Sequence, residues 1–157
     1  MGGLSGCPAP GIEREEEPWD LRAWRTAMLQ HAAESEAAVE RLRRNERSPL
    51  DDLPNTRLAD FHEAMTGLEE SVPGIGWGAP LVEHGRRSHY RGALVDMRYA
   101  AGQLLRAREA DDEEGVQRWS ERLERSLDRW DEIRAEWIDP IASGETVAWR
   151  EVRSAWG

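Results

Sequence analysis

Several residue types are scarce in this sequence, which has no lysine, one cysteine and one phenylalanine among 157 residues. A single cysteine excludes an intramolecular disulfide framework and a cysteine-rich zinc site. No apolar run approaches the roughly 18 residues that a membrane-spanning helix needs, so we expect a soluble, cytoplasmic chain. All 21 basic residues are arginine, and this bias is typical of codon usage in a high-GC bacterium or one of its phages.

The charge balance is acidic, with a formal net charge of −10. Phosphate backbones are bound by concentrated positive surfaces, so no nucleic-acid partner is expected. Two local basic clusters stand against this background, one over 41–47 and one formed by Arg86, Arg87 and Arg91. Mixed charge is common on helical surfaces, and both clusters are predicted to lie on solvated helix faces.

Apolar residues recur at three- and four-residue steps in four long segments, which is the pattern of amphipathic helices. The predicted helices span 19–46, 56–71, 80–109 and 111–139, and a short fifth helix spans 145–155. Asp111 and Glu114 form a capping-box-like start for the fourth. Three glycines in the third (Gly85, Gly92, Gly102) indicate either a bend or the close approach of a neighbouring helix.

Four long helices with short connections and no alternating strand pattern predict an all-α fold, an antiparallel four-helix bundle. The domain boundaries follow from composition. Residues 1–17 are Gly/Pro-rich and then acidic, and are expected to be a disordered tail. Residues 18–139 form the bundle domain, and 140–157 a short C-terminal helix or tail.

The loop over 72–80 carries a G-x-G-x-x-A pattern from Gly74 to Ala79. A dinucleotide-binding turn of this form must follow a β-strand, whereas a helix precedes it here, so the segment is predicted to be a helix-connecting loop. Trp77, in the middle of this loop, either caps the end of the bundle or stands exposed as a contact for a partner.

Tryptophan is abundant, with eight residues. Trp119, Trp130 and Trp137 follow helical spacing and are expected to pack in the core. The short last helix presents a second set, which we predict to be partner-binding because tryptophan is favoured at protein interfaces. Its members are Trp149, Val152 and Trp156.

Four histidines raise the question of a metal site. Helical bundles hold metals through Glu-x-x-His pairs, and no such pair occurs in this sequence. His62, His84 and His89, with Glu63, are the remaining candidates for a metal site in a helical-bundle enzyme. The prediction that we favour makes them surface or half-buried side chains, with no metal or cofactor. No nucleophile signature is present either, so an enzyme is the less favoured class.

Two stretches resemble known groups of proteins. The layout from Leu58 to Ile133, with the phrases LADFH (58–62) and RYAAGQLLR (98–106), looks like small helical proteins of unknown role found in actinobacterial natural-product gene neighbourhoods. The phrase ASGETVAWREV (142–152) resembles the end of some bacterial antitoxin-like proteins. The first resemblance implies a habitat, and neither implies a catalytic site.

The N-terminal residues Leu4-Ser5-Gly6-Cys7 have the form at which bacterial lipoproteins are cut and lipidated. Six residues, none of them basic, precede Cys7, whereas lipoprotein export needs a basic start and an apolar segment of roughly 7–15 residues. A lipid anchor at Cys7 is therefore expected only if the true start lies upstream.

These features predict a non-enzymatic helical adaptor or regulatory protein that acts by protein–protein contact, with a partner protein or with itself. Two alternatives remain from other classes. One is a metal-dependent helical-bundle enzyme that uses histidines and carboxylates. The other is a phage or toxin–antitoxin component.

Overall fold

The computed structural model describes residues 19–43 and 53–143. Its elements are α1 (Leu21–Arg43), α2 (Asn55–Glu70), α3 (Leu81–Glu109), α4 (Glu113–Ile133), a π-helical turn (Arg134–Ile138) and a 3₁₀ turn (Asp139–Ser143). These ranges contain no β-strand, and none of their helices is long and apolar enough to cross a membrane. The predictions for the tail over 1–17, the helix over 145–155, Cys7, Trp149, Val152 and Trp156 lie outside the described residues.

Consecutive helices run in opposite directions. In the α3–α4 pair, the rings of Tyr90 and Trp130 lie 5.6 Å apart, and those of Tyr99 and Trp119 lie 5.5 Å apart. Since one partner number rises while the other falls, the two helices are antiparallel. Contacts between α1 and α2 and between α2 and α3 follow the same order. The predicted antiparallel four-helix bundle is confirmed.

The core lies where the apolar stripes of the four helices meet. Each large aliphatic side chain buried there stabilises the fold by about 1.5–3 kcal/mol relative to exposure. Trp130 is fully buried at its centre, as predicted, whereas Trp119 and Trp137 are half-buried at its edge. The other large fully buried apolar side chains are Met28, Leu42, Leu58, Met65, Tyr90, Leu94, Met97, Leu104, Leu123 and Ile138.

Aspartates fix the starts of two helices. The Asp20 carboxylate accepts the backbone N–H of Arg22 at 3.0 Å, and this contact caps the start of α1. The Asp112 carboxylate accepts the backbone N–H of Gly115 at 3.0 Å and caps α4. The predicted cap, Asp111, lies one residue too early, because it adopts a positive φ of 54° in the tight turn between α3 and α4.

The fourth helix changes character before its predicted end. The α-helical pattern stops at Ile133, and the backbone N–H of Asp139 then donates to the carbonyl of Arg134, which is the wider π pattern. Pro140 accounts for this change. It has no N–H to donate to the carbonyl of Glu136, and its ring would crowd that carbonyl in a regular α-helix.

The third helix runs without interruption through its three glycines. At Gly102, a neighbouring helix approaches closely, because an added Cβ would lie 3.0 Å from Nε2 of His62 on α2. Nothing lies within 4 Å of the corresponding Cβ position at Gly92. The close approach predicted from glycine is therefore confirmed at Gly102.

Candidate partner-binding site

Trp77 stands at the corner of a tight turn between α2 and α3. The backbone N–H of Ala79 donates to the carbonyl of Gly76 at 3.3 Å and closes the turn. Gly78 has a φ of 84°, which the third position of a type II turn requires and which glycine adopts without strain. This geometry places the indole of Trp77 at the outermost position, where it is fully exposed.

The loop that carries Trp77 is anchored to the bundle at Pro73. The carbonyl oxygen of Pro73 accepts the indole N–H of Trp24 at 3.4 Å and the Nε–H of Arg87 at 2.8 Å. Trp24 belongs to α1 and Arg87 to α3, so one carbonyl connects the loop to two helices. The loop is held in one place before the turn begins.

A second contact fixes the loop next to the turn itself. A Cβ added at Gly76 would lie 2.6 Å from both Cβ and Cγ of Trp19, so only glycine allows this approach. The ring of Trp19 in turn lies 5.8 Å from that of Trp24. Trp19 and Trp24 thus pack against the loop, and Trp77 projects from it into solvent.

The segment that carries Trp77 exposes a second large apolar side chain. Leu81, four residues after Trp77, is 74% exposed at the start of α3. Within the described residues, Trp77, Leu81 and Tyr99 are the large hydrophobic side chains that are exposed, and the first two belong to one short segment. An exposed indole on a fixed loop can insert into an apolar pocket of a partner with little loss of conformational entropy.

A buried ionic cluster lies close to this segment, at the first turn of α3. The Glu83 carboxylate is fully buried and accepts the Nε–H of Arg86 at 2.7 Å and the Nε–H of Arg25 at 2.9 Å. Arg86 also donates to the backbone carbonyl of Trp137 in the π-helical turn. The cluster therefore joins α1, α3 and the end of α4.

The burial of Arg86 corrects one prediction. The Arg86, Arg87 and Arg91 cluster was expected on a solvated face, yet the side chain of Arg86 is 1% exposed. Its position explains the difference, since Arg86 and Glu83 continue the buried stripe of α3 backwards from Tyr90 at four- and three-residue steps. That spacing is the signal in the sequence from which the burial of Arg86 and Glu83 could have been predicted.

A second buried polar network lies one turn further along. His31 Nε2–H donates to the carbonyl of Leu68 at 2.8 Å, so its Nδ1 is the acceptor for the Tyr90 hydroxyl at 2.5 Å. The hydroxyls of Ser35 and Tyr90 lie 2.8 Å apart. Burial lowers the pKa of His31 and raises that of Tyr90, which keeps both side chains neutral.

The metal-site candidates are not brought together. His62 on α2 packs against Gly102, while His84 and His89 lie on the first third of α3, and 13 residues of helix correspond to about 20 Å. The ring of His89 stacks on Trp137 with centroids 4.5 Å apart. Glu63 is exposed on α2. The described residues contain no group of three or more potential ligands that could hold a metal ion.

Comparison with known protein families, with curated proteins and with solved structures finds no match for this chain. The interpretation of the site therefore depends on its own geometry and chemistry.

Proposed function

We propose that this protein is a non-enzymatic helical adaptor or regulatory protein of the cytoplasm, which binds a partner protein through Trp77. The exposed indole of Trp77, on a loop anchored at Pro73 and Gly76, is the observation that carries the proposal. The docking surface consists of Trp77 and Leu81, and the partner supplies an apolar pocket that receives the indole.

Rigidity supports a role in recognition. Exposing a tryptophan has no benefit for folding, since burial of the same ring in the core would stabilise the chain. Binding hot spots are enriched in tryptophan, and a preorganised anchor loses little entropy when it binds. Glycines, a proline and two supporting tryptophans together hold the side chain of Trp77 in solvent.

The test is a quantitative pull-down from a lysate of the source organism, followed by calorimetry with the purified partner. The baits are the full chain, its Trp77→Ala variant and its Tyr99→Ala variant. Tyr99 is the matched control, because it is an aromatic side chain that is 50% exposed on the far half of α3. Loss of a hot-spot anchor costs about 2 kcal/mol or more, so Trp77→Ala should weaken the complex roughly 30-fold.

The folded state of each bait is checked by thermal unfolding, and Trp77→Ala should leave it unchanged. Sedimentation of the chain alone identifies the partner as a second copy if Trp77→Ala dissociates an oligomer. The proposal is wrong if Trp77→Ala binds the partner as tightly as the full chain does. It is also wrong if the full chain is a monomer that retains nothing.

A further inference from the structure

A cleft between α2 and α3 gathers positive charge in an otherwise acidic protein. It has a volume of about 420 Å³, which lies within the usual range of roughly 300–1,000 Å³ for ligand pockets. Arg98, Gly102 and Arg106 follow one another at four-residue steps on α3, so they share one helix face. His62 enters from α2 at the level of Gly102, between the two arginines.

Hydrogen-bond donors of this cleft have no partner in the described part of the chain. Arg98 donates to Glu69 through Nε, and its two Nη groups make no hydrogen bond with residues 19–43 and 53–143. Within the same ranges, neither the guanidinium of Arg106 nor the imidazole of His62 has a hydrogen-bond or ion-pair partner. In contrast, both ring nitrogens of His31 are fully engaged.

Two carboxylates flank the cleft, one at each end. Glu69 holds the Nε side of Arg98 and also pairs with Arg91 at 3.5 Å, while Glu109 lines the other end beyond Arg106. Burial and the charges of Arg98 and Arg106 lower the pKa of His62, so the imidazole is neutral at pH 7 and still has one N–H to donate. The centre of the cleft is the favourable place for an anion.

We propose that this cleft binds a small molecule that carries a phosphate or diphosphate group, held between the guanidinium groups of Arg98 and Arg106 with His62 as a third donor. Along the helix, the two arginines are separated by about 12 Å, a span that their long side chains can close from both sides. Guanidinium groups bind phosphate oxygens through paired N–H donors, which a single ammonium group cannot do. The half-exposed ring of Tyr99 lines the same cleft and offers a surface for the organic part of the ligand.

Calorimetric titration with inorganic pyrophosphate, at constant ionic strength and pH 7.5, tests the proposal on the full chain. Saturable binding at millimolar concentration or below is expected. The Arg106→Gln variant should bind about tenfold more weakly, because it loses hydrogen bonds to a charged group. Arg122→Gln is the matched control, since Arg122 is exposed on α4 and lies outside the cleft.

Both variants replace exposed side chains, and unchanged circular dichroism and thermal unfolding will establish that they fold. Unaltered affinity in Arg122→Gln together with weakened affinity in Arg106→Gln supports the site. An equal loss in both variants means that pyrophosphate responds only to net charge, and this overturns the proposal. Absence of saturable binding to the full chain overturns it as well.

Discussion

His31 and His62 both lie at contacts between helices of the same bundle, and they differ in how their polar atoms are used. His31, on α1, bonds through one ring nitrogen to Leu68 on α2 and through the other to Tyr90 on α3, and it is 5% exposed. His62, between α2 and α3, makes no side-chain hydrogen bond within the described residues, and it faces an open cleft. The region around His31 is closed to solvent, and both ring nitrogens of His31 are hydrogen-bonded. The region around His62 is open to solvent and contains donors without a hydrogen-bond partner in the described part of the chain.

This contrast separates polar groups that specify the fold from polar groups that are available for binding. Buried polar atoms must be paired, because an unpaired one costs about 1–3 kcal/mol. The His31 and Glu83 networks meet this condition and fix the register of α1 against α3. The donors of the His62 cleft remain in contact with solvent, so they can stay unpaired until a ligand arrives.

The largest effect is expected at Glu83. Glu83→Gln removes the charge that faces the buried guanidinium of Arg86 and the partly buried one of Arg25. Breaking a buried pair from one side leaves an uncompensated charge, and this costs about 3–5 kcal/mol. Urea denaturation followed by circular dichroism measures the loss in free energy of unfolding.

Glu69→Gln is the matched control for Glu83, since it makes the same change in the open region. Glu69 pairs with Arg98 and Arg91, whose side chains are 31% and 46% exposed. Such pairs contribute about 1 kcal/mol or less. If the two variants lose the same stability, the distinction between a closed and an open region fails.

A smaller effect is expected when each histidine is replaced by a ring without nitrogens. His31→Phe leaves the carbonyl of Leu68 and the hydroxyl of Tyr90 without their bonds to imidazole, and we expect a loss of about 2 kcal/mol. His62→Phe breaks no hydrogen bond in the described part of the chain, and its effect should stay within about 0.5 kcal/mol. The same denaturation measurement compares the two variants.

The pH dependence provides a second, independent measure of the closed network. The pKa of His31 is lowered from its ordinary value of 6.5 by burial. Well above pH 6.5, the His31 imidazole is neutral in both the folded and the unfolded chain. As the pH falls through 6.5, the unfolded chain takes up a proton on this imidazole that the folded chain does not. The free energy of unfolding should therefore fall as the pH drops from 7.5 to 5, and His31→Phe should fall less steeply. An identical slope in the variant would contradict the assignment of His31 as a buried neutral ring.

The sequence was sufficient to predict the helices because the apolar spacing is regular over four long segments. It was not sufficient to predict that Arg86 and Glu83 are buried. The burial of a charged pair can be recognised only when its spacing is compared with the apolar stripe of the same helix. Trp77 was recognised as a loop residue with two alternative roles, and its exposure depends on the turn at Gly78 and the support from Trp19. The cleft at His62 depends on two helices meeting at Gly102, which no single segment encodes.

A further small effect, and the sharpest comparison, comes from two glycines of the same helix. Gly92→Ala adds a Cβ into open space, and it should stabilise the protein by about 1 kcal/mol through helix propensity. Gly102→Ala has the same propensity gain, but its Cβ would lie 3.0 Å from Nε2 and 3.2 Å from Cδ2 of His62. The imidazole must then move out of its place between the arginines, so a smaller gain in stability and weaker binding of pyrophosphate are expected together.

The double variant Gly102→Ala/His62→Ala separates the two contributions. Relative to His62→Ala alone, the added Cβ no longer meets the ring, and the gain should return to the value measured for Gly92→Ala. Thermal unfolding of the five proteins, with the unmodified chain as reference, provides the comparison. If Gly102→Ala alone already gains as much as Gly92→Ala, the contact of His62 with α3 does not constrain the ring. The contact with Gly102 would then not be what positions His62 as the third donor of the cleft.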